Sequence, residues 1–253
     1  MEEKYILEWT FTPPDYFEEP KDFPFDYGII HVDSGKAEAR IAANLYPEDH
    51  SLRNQIHSEL EAIFHGVQVL AHKPYALSKS NLTKLHVDGR KDHWVFLEGA
   101  TLTLFGGRAD ATITDANGNI ISDTRRERIN LKKQFAQSAA TNFGDQAANA
   151  ILRSYSAAVN DARNELVHLY EIQEALTQHF GGKAPAKAAL GIASGQWSRL
   201  GQLANNEPLT QGRHRGKHLG SLRDATEAEL TESRNLARAL IDGYFRHLRS
   251  RVT

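Results

Sequence analysis

The stretch QGRHRGKHLG, residues 211–220, places Arg213, His214, Arg215, Lys217 and His218 among glycines. Imidazole exchanges protons near neutral pH, and guanidinium forks two donors onto a phosphate. An arginine followed after four residues by a histidine suits metal-free cleavage of RNA. A base takes the 2′-hydroxyl proton, and a cation stabilises the charge that develops on phosphorus. Arg213 and His218 are therefore the candidate catalytic residues, and Arg215 and Lys217 the candidates for holding RNA phosphates. Gly212 and Gly216 would let the backbone come close to an anion. The plainer reading is a basic loop that binds acidic side chains of the first half of the chain or of a second subunit.

A second Arg-x4-His segment is RNELVH, residues 163–168. It adds Arg163, Asn164 and His168 as candidate phosphate- or RNA-binding residues. Inside a helix, a five-residue step rotates by about 140°, so Arg163 and His168 diverge unless neighbouring helices unite them. The 213/218 pair is preferred, and both clusters lining one groove is the arrangement that would use all of these residues. The plainer reading is a polar helix surface with His168 beside an apolar stripe.

An Arg-x4-His motif late in a helical region, just before the last long helix, resembles the HEPN superfamily over roughly residues 130–253. The resemblance implies a helical bundle, an endoribonuclease of bacterial toxin–antitoxin or phage-defence type, and a homodimer with two motifs facing one cleft. By position it assigns phosphate binding to Arg213 and acid/base work to His218, and it adds His214, the polar residue after the arginine, to the candidate catalytic residues. A regulatory ligand or an antitoxin would be a further partner. The rival class is a HEPN-like bundle that binds a nucleotide or protein without cutting, because the same Arg and His can hold an anion passively.

Two patterns look like metal sites. His57, Glu61 and His65 recur every fourth residue, but the end groups stand about 12 Å apart along a helix, too far for one ion, so an ion-paired helix flank is the expectation. Glu165-x-x-His168 is half of a di-iron motif whose second half is missing. No metal and no cofactor is expected. A DNA-binding alternative comes from AKAALGIASGQWSRL, residues 186–200, which reads as helix, turn at Gly191, helix. It departs from helix-turn-helix proteins at Lys187, where a small residue is usual, and offers only Ser194, Gln196, Ser198 and Arg199 to read bases.

Composition sets the frame. The chain has 253 residues, 40% apolar, and no cysteine, which excludes disulfides and a catalytic thiol. No run approaches the roughly 18 apolar residues of a membrane helix, and no secretory signal begins the chain, so a cytoplasmic protein without membrane contact is expected. Residues 1–124 carry 11 Lys+Arg against 20 Asp+Glu, a balance of −9; residues 125–253 carry 19 against 12, a balance of +7. Such a division suits an anionic partner for the second half, or attraction between the halves.

The elements divide the same way. Residues 5–11 and 37–45 alternate as strands, and Leu52, Ile56, Leu60, Phe64 and Val67 recur at helical spacing. VQVLA, LTKLHV and HWVFLEGATLTLF are expected as strands, and Asn117-Gly118 as a hairpin turn. TRRERINLKKQ, residues 124–134, reads as a polar junction. Beyond it come helices over 162–180, 186–192 and 194–206, and a last one after residue 224. The fold expected is an acidic α+β domain, 1–124, then a basic all-α bundle, 125–253.

Overall fold

A computed structural model of the chain describes residues 3–46, 51–94, 110, 112–114, 120–218 and 220–251; the side chains of residues 113, 114 and 218 lie outside the description. The fold is α+β followed by all-α. It divides into two compact units, residues 1–67 with 75–140, and residues 68–74 with 141–253. Among the described residues no helix is long and apolar enough to cross a membrane.

The first unit is built on β1 (Lys4–Thr12), β2 (Lys21–Phe25), β3 (Gly28–Asp33), β4 (Lys36–Ala42), β5 (Ala76–Leu77), β6 (Asn81–Leu85) and β7 (Lys91–Trp94), with α1 (Ser51–Ala71) after β4. The sheet order among these strands is β2-β3-β4-β1-β6-β7, with β5 also on β1. Alternation explains its buried face: Leu7, Trp9 and Phe11 of β1 are buried, Leu7 in register with Ala39 of β4 and Leu82 of β6, Trp9 with Ala37 of β4 and Phe11 with Leu77 of β5. The α1 stripe Leu52, Ile56, Leu60, Phe64 and Val67 is buried, and Phe64 packs edge-on against Phe11, 5.0 Å between centroids. The short strands β8 (Thr112–Thr114) and β9 (Ile120–Asp123) pair antiparallel; the Asn117-Gly118 turn expected between them lies outside the described residues.

Three expectations are corrected. VQVLA is no strand but the last turn of α1, where Val67 and Val69 are wholly buried. The strand expected to reach Leu45 stops at Ala42, and residues 43–45 form a 3-10 turn. TRRERINLKKQ, expected as the polar junction, opens α2 (Thr124–Thr141), which buries Ile129, Phe135, Ala136 and Ala139. Gly66 of α1 makes room for α2, since a Cβ there would stand 2.6 Å from the Phe135 carbonyl oxygen. Arg128 forks onto Glu18 and also pairs with Asp110, and Lys132 pairs with Glu18. Burial opposes the charge on Glu18, yet Arg128 and Lys132 together hold its carboxyl below the usual range. The first unit thus extends to residue 140, and the charge division softens. It holds 15 Lys+Arg against 21 Asp+Glu, and the second unit 15 against 11.

The second unit contains α3 (Gln146–Asn160), α4 (Glu165–His179), α5 (Lys183–Leu190), α6 (Ser194–Asn205) and α7 (Glu227–Ser250). Asp145 caps α3 through the Ala148 amide at 2.7 Å. Thr226 and Glu229 form a capping box at the start of α7. Gly181, at φ 72°, closes α4. Helix α4 contacts α3, α5, α6 and α7, which is why Leu166, Leu169, Ile172 and Leu176 are all buried.

Candidate nucleic-acid site

The basic loop is pinned at its base. Leu209 is buried with Leu166, Leu203 and Ala204, and it bridges to Arg223 across the loop ends. The Thr210 amide donates to the Arg223 carbonyl and the Arg223 amide to the Pro208 carbonyl, each at 2.9 Å. The Arg213 amide donates to the Ala204 carbonyl at 2.7 Å. Residues 211–222 therefore leave the bundle and return at one place, with a 3-10 turn over Arg215–His218.

Arg213 turns onto α4. Its guanidinium donates to Glu174 at 2.6 Å and lies 5.2 Å over the Tyr170 ring, a charge pair combined with a cation–π contact. Arg215 reaches the start of α4. Its Nη2 donates to the Arg163 carbonyl at 3.0 Å and to the Asn164 side-chain oxygen. Its Nε is buried and has no acceptor among the described residues, a state that costs about 1–3 kcal/mol. Lys217 and His214 are exposed. The side chain of His218 lies outside the described residues, so the Arg213–His218 geometry is not part of the site described.

The second segment is not wholly helical. Arg163 and Asn164 occupy a 3-10 turn before α4, and Glu165 to His168 form its first turn. Arg163 is exposed. Asn164 donates to Asp161 at 2.7 Å, the chief reason the Asp161 carboxyl lies below its ordinary range, with His168 contributing. His168 faces Glu171 at 3.2 Å through Nδ1 and Asp161 at 3.5 Å through Nε2. Both ring nitrogens thus meet carboxylates. The two Arg-x4-His segments meet where Arg215 touches residues 163 and 164.

Comparison with known proteins finds no family model, no curated protein and no solved structure that matches this chain. The resemblance to HEPN proteins is carried by the motif spacing and helical order alone.

Other candidates come apart. His57 accepts from the Trp9 indole at 3.0 Å and lies 3.8 Å from Glu61, while His65 packs against Tyr75. Among the described residues no group of three or more His, Asp or Glu is arranged to hold a metal. Helices α5 and α6 do join at Gly191, but Arg199 forks onto Glu232 at 3.0 and 2.9 Å. Gln196 bonds the Ala193 amide at the start of its own helix. The two longest candidate base readers are thus engaged within the bundle.

One polar cluster escaped the sequence reading. Glu165, with its side chain 3% exposed, receives Arg234 through two bonds of 2.6 and 3.0 Å. His72 lies 3.5 Å from Glu165 and 3.3 Å from the Tyr155 hydroxyl. Arg238 donates to the Val69 carbonyl at 3.1 Å. Burial first, then Arg234 and Arg238, lower the His72 pKa to about 4. The available signal was Arg234 and Arg238 one helical turn apart on α7, beside the apolar positions Ala237 and Ile241.

Proposed function

We propose that this protein is a metal-independent endoribonuclease whose phosphate seat is the meeting point of Arg163, Asn164 and Arg215, with Arg213 and Lys217 beside it. The observation that supports this reading is the Arg215 guanidinium, which joins the two Arg-x4-His segments and keeps an unpartnered Nε among the described residues. A phosphate oxygen is the acceptor such a donor lacks. In the reaction a histidine, His218 or His214, takes the 2′-hydroxyl proton and O2′ attacks phosphorus. The P–O5′ bond breaks, the departing oxygen gains a proton, and the products are a 2′,3′-cyclic phosphate and a 5′-hydroxyl.

A second reading is a non-cutting RNA-binding bundle. It is favoured by Arg213, already neutralised by Glu174, and by His168, flanked by two carboxylates. The deciding experiment incubates an end-labelled single-stranded oligoribonucleotide with the full chain in EDTA, measuring cleavage and retention together. For an enzyme, His218→Ala or His214→Ala lowers cleavage by about 10²–10⁴-fold while most retention survives, and Arg215→Ala lowers both. Retention without cleavage establishes the binding module. Absence of both rejects the RNA reading.

A further inference from the structure

In the sheet-bearing unit, residues 16–21 run into β2 along α2, and their contacts with that helix follow one after another. The Tyr16 carbonyl accepts from Lys132 at 3.3 Å, Glu18 takes Arg128 and Lys132, and Glu19 faces Arg126 with two contacts of 3.4 Å. Each of these contacts joins a cation of α2 to an acceptor on the segment. Lys21 breaks the pattern. It opens β2, the first strand in the sheet order, in register with Val32. Its ammonium stands within hydrogen-bonding reach of the Lys133 ammonium.

Two ammonium groups carry donors only, so neither can serve the other, while one acceptor placed between them serves both. Lys133 lies seven residues beyond Arg126, about two helical turns on the same face of α2, and the exposed Asn130 lies between them. The Arg126 charge is also felt at Lys21, and so is the carboxylate of Glu19, which is shared with Arg126. Burial first, then the Lys133 charge, holds the Lys21 ammonium below its ordinary range. Glu18, the other carboxylate on this segment, is already taken by Arg128 and Lys132. Lys21, Arg126 and Lys133 against Glu19 leave an excess of two positive charges. A phosphate monoester, at about −1.5 to −2 near pH 7, matches that excess; a carboxylate or a chloride ion supplies only half of it.

We propose that Lys21, Arg126 and Lys133 form a seat for a phosphate monoester. Its oxygens accept from both ammoniums, and the Arg126 guanidinium turns from its long contacts with Glu19 to fork onto the same group. Asn130 supplies a neutral donor on the same helix face. The free phosphate ion and the terminal phosphate of a nucleotide share this chemistry. The seat uses no residue of the 163–168 or 211–220 segments, so it stands or falls separately from the cleavage reading.

The test titrates the full chain with inorganic phosphate, adenosine 5′-monophosphate and adenosine by calorimetry at constant ionic strength. Saturable binding of the two phosphates and none of adenosine is expected. Equal affinity for the two phosphates assigns the seat to the free ion, and tighter binding of the nucleotide assigns it to a terminal phosphate. Lys133→Gln should weaken both at least about tenfold, whereas Arg215→Ala should leave this binding in place. Lys133→Glu sets a carboxylate beside Lys21 within the chain itself; it should abolish binding and raise the thermal midpoint, as phosphate does for the parent. Lys133 is exposed, so these variants should fold. The proposal is overturned by no saturable binding, by chloride reproducing the thermal shift, by adenosine binding as the nucleotide does, or by a Lys133→Gln variant that binds as the parent does.

Discussion

The guanidinium of Arg215 is bonded to the side-chain oxygen of Asn164, so a residue from one Arg-x4-His segment is held by a residue from the other. The bond docks the loop onto the entry of α4. Asn164→Leu removes the acceptor while leaving the loop base at Leu209 and Arg223 intact. A hydrogen bond to a charged group contributes about 1.5–3 kcal/mol, so local opening of the loop should rise by about tenfold or more. Limited trypsin digestion reads this directly, because Arg213, Arg215 and Lys217 are all cleavage points; unchanged digestion would count against the docking role.

Glu174 competes with any phosphate for Arg213. Glu174→Gln should therefore strengthen retention of single-stranded RNA by a few fold. It should also steepen the salt dependence by about 0.7 in the slope of log K against log salt, the increment for one additional phosphate contact. Affinity measured at several salt concentrations checks both. Weaker binding in this variant would show that the ion pair organises the site and does not compete for it.

His72 makes stability depend on pH. Its folded pKa, about 4, lies below the ordinary imidazole value of about 6.5, so the unfolded chain binds the extra proton more readily. The stabilisation is complete above about pH 6.5 and is lost as pH falls towards 4, amounting to up to about 3 kcal/mol. Urea unfolding between pH 7 and pH 4 should show this decline, and His72→Gln should flatten it. An equally steep decline in the variant would assign the effect to other groups.

At Gly66, α1 lies directly against the backbone of α2. A Cβ there would meet the Phe135 carbonyl oxygen at 2.6 Å and the Ala136 Cα at 2.9 Å, both backbone atoms that no rotamer change can relieve. Gly66→Ala should cost about 1–3 kcal/mol, against a small gain expected for alanine at an exposed helix position. Thermal unfolding gives the sign; a stabilised variant would show that α2 can withdraw.

Periodicity was legible wherever one face of an element is buried. The β1 alternation and the α1 stripe predicted their inward residues correctly, and so did Leu166, Leu169, Ile172 and Leu176 of α4. It failed where local composition misleads. VQVLA is rich in β-branched and aliphatic residues, yet it continues a helix already begun, and extending a helix is far easier than starting a new element. TRRERINLKKQ looked like a linker because its charges outnumber its apolar residues, but Arg128 and Lys132 are drawn to Glu18, 110 and 114 residues away in the chain. Strands β2 and β3 went unread because both are short and Pro24 and Gly28 look like breaks in a strand pattern. The site followed the same rule. The basic residue types were visible, but their partners Asn164 and Glu174 lie 51 and 39 residues from the loop. The Glu165–Arg234–His72 cluster draws on three distant segments and left almost no local trace.

The last turn of α1 and the residues after it, 68–74, group with the helical unit, although the chain on either side belongs to the sheet-bearing one. Arg238 and Glu165 lean on that heptapeptide through the Val69 carbonyl and His72. A C-terminal piece cut at residue 124 or 141 would consequently lack one of its own walls, with a guanidinium facing solvent where a peptide carbonyl belongs. Supplying the N-terminal piece in trans, in place of trimming the gene, is the way to ask what each half does.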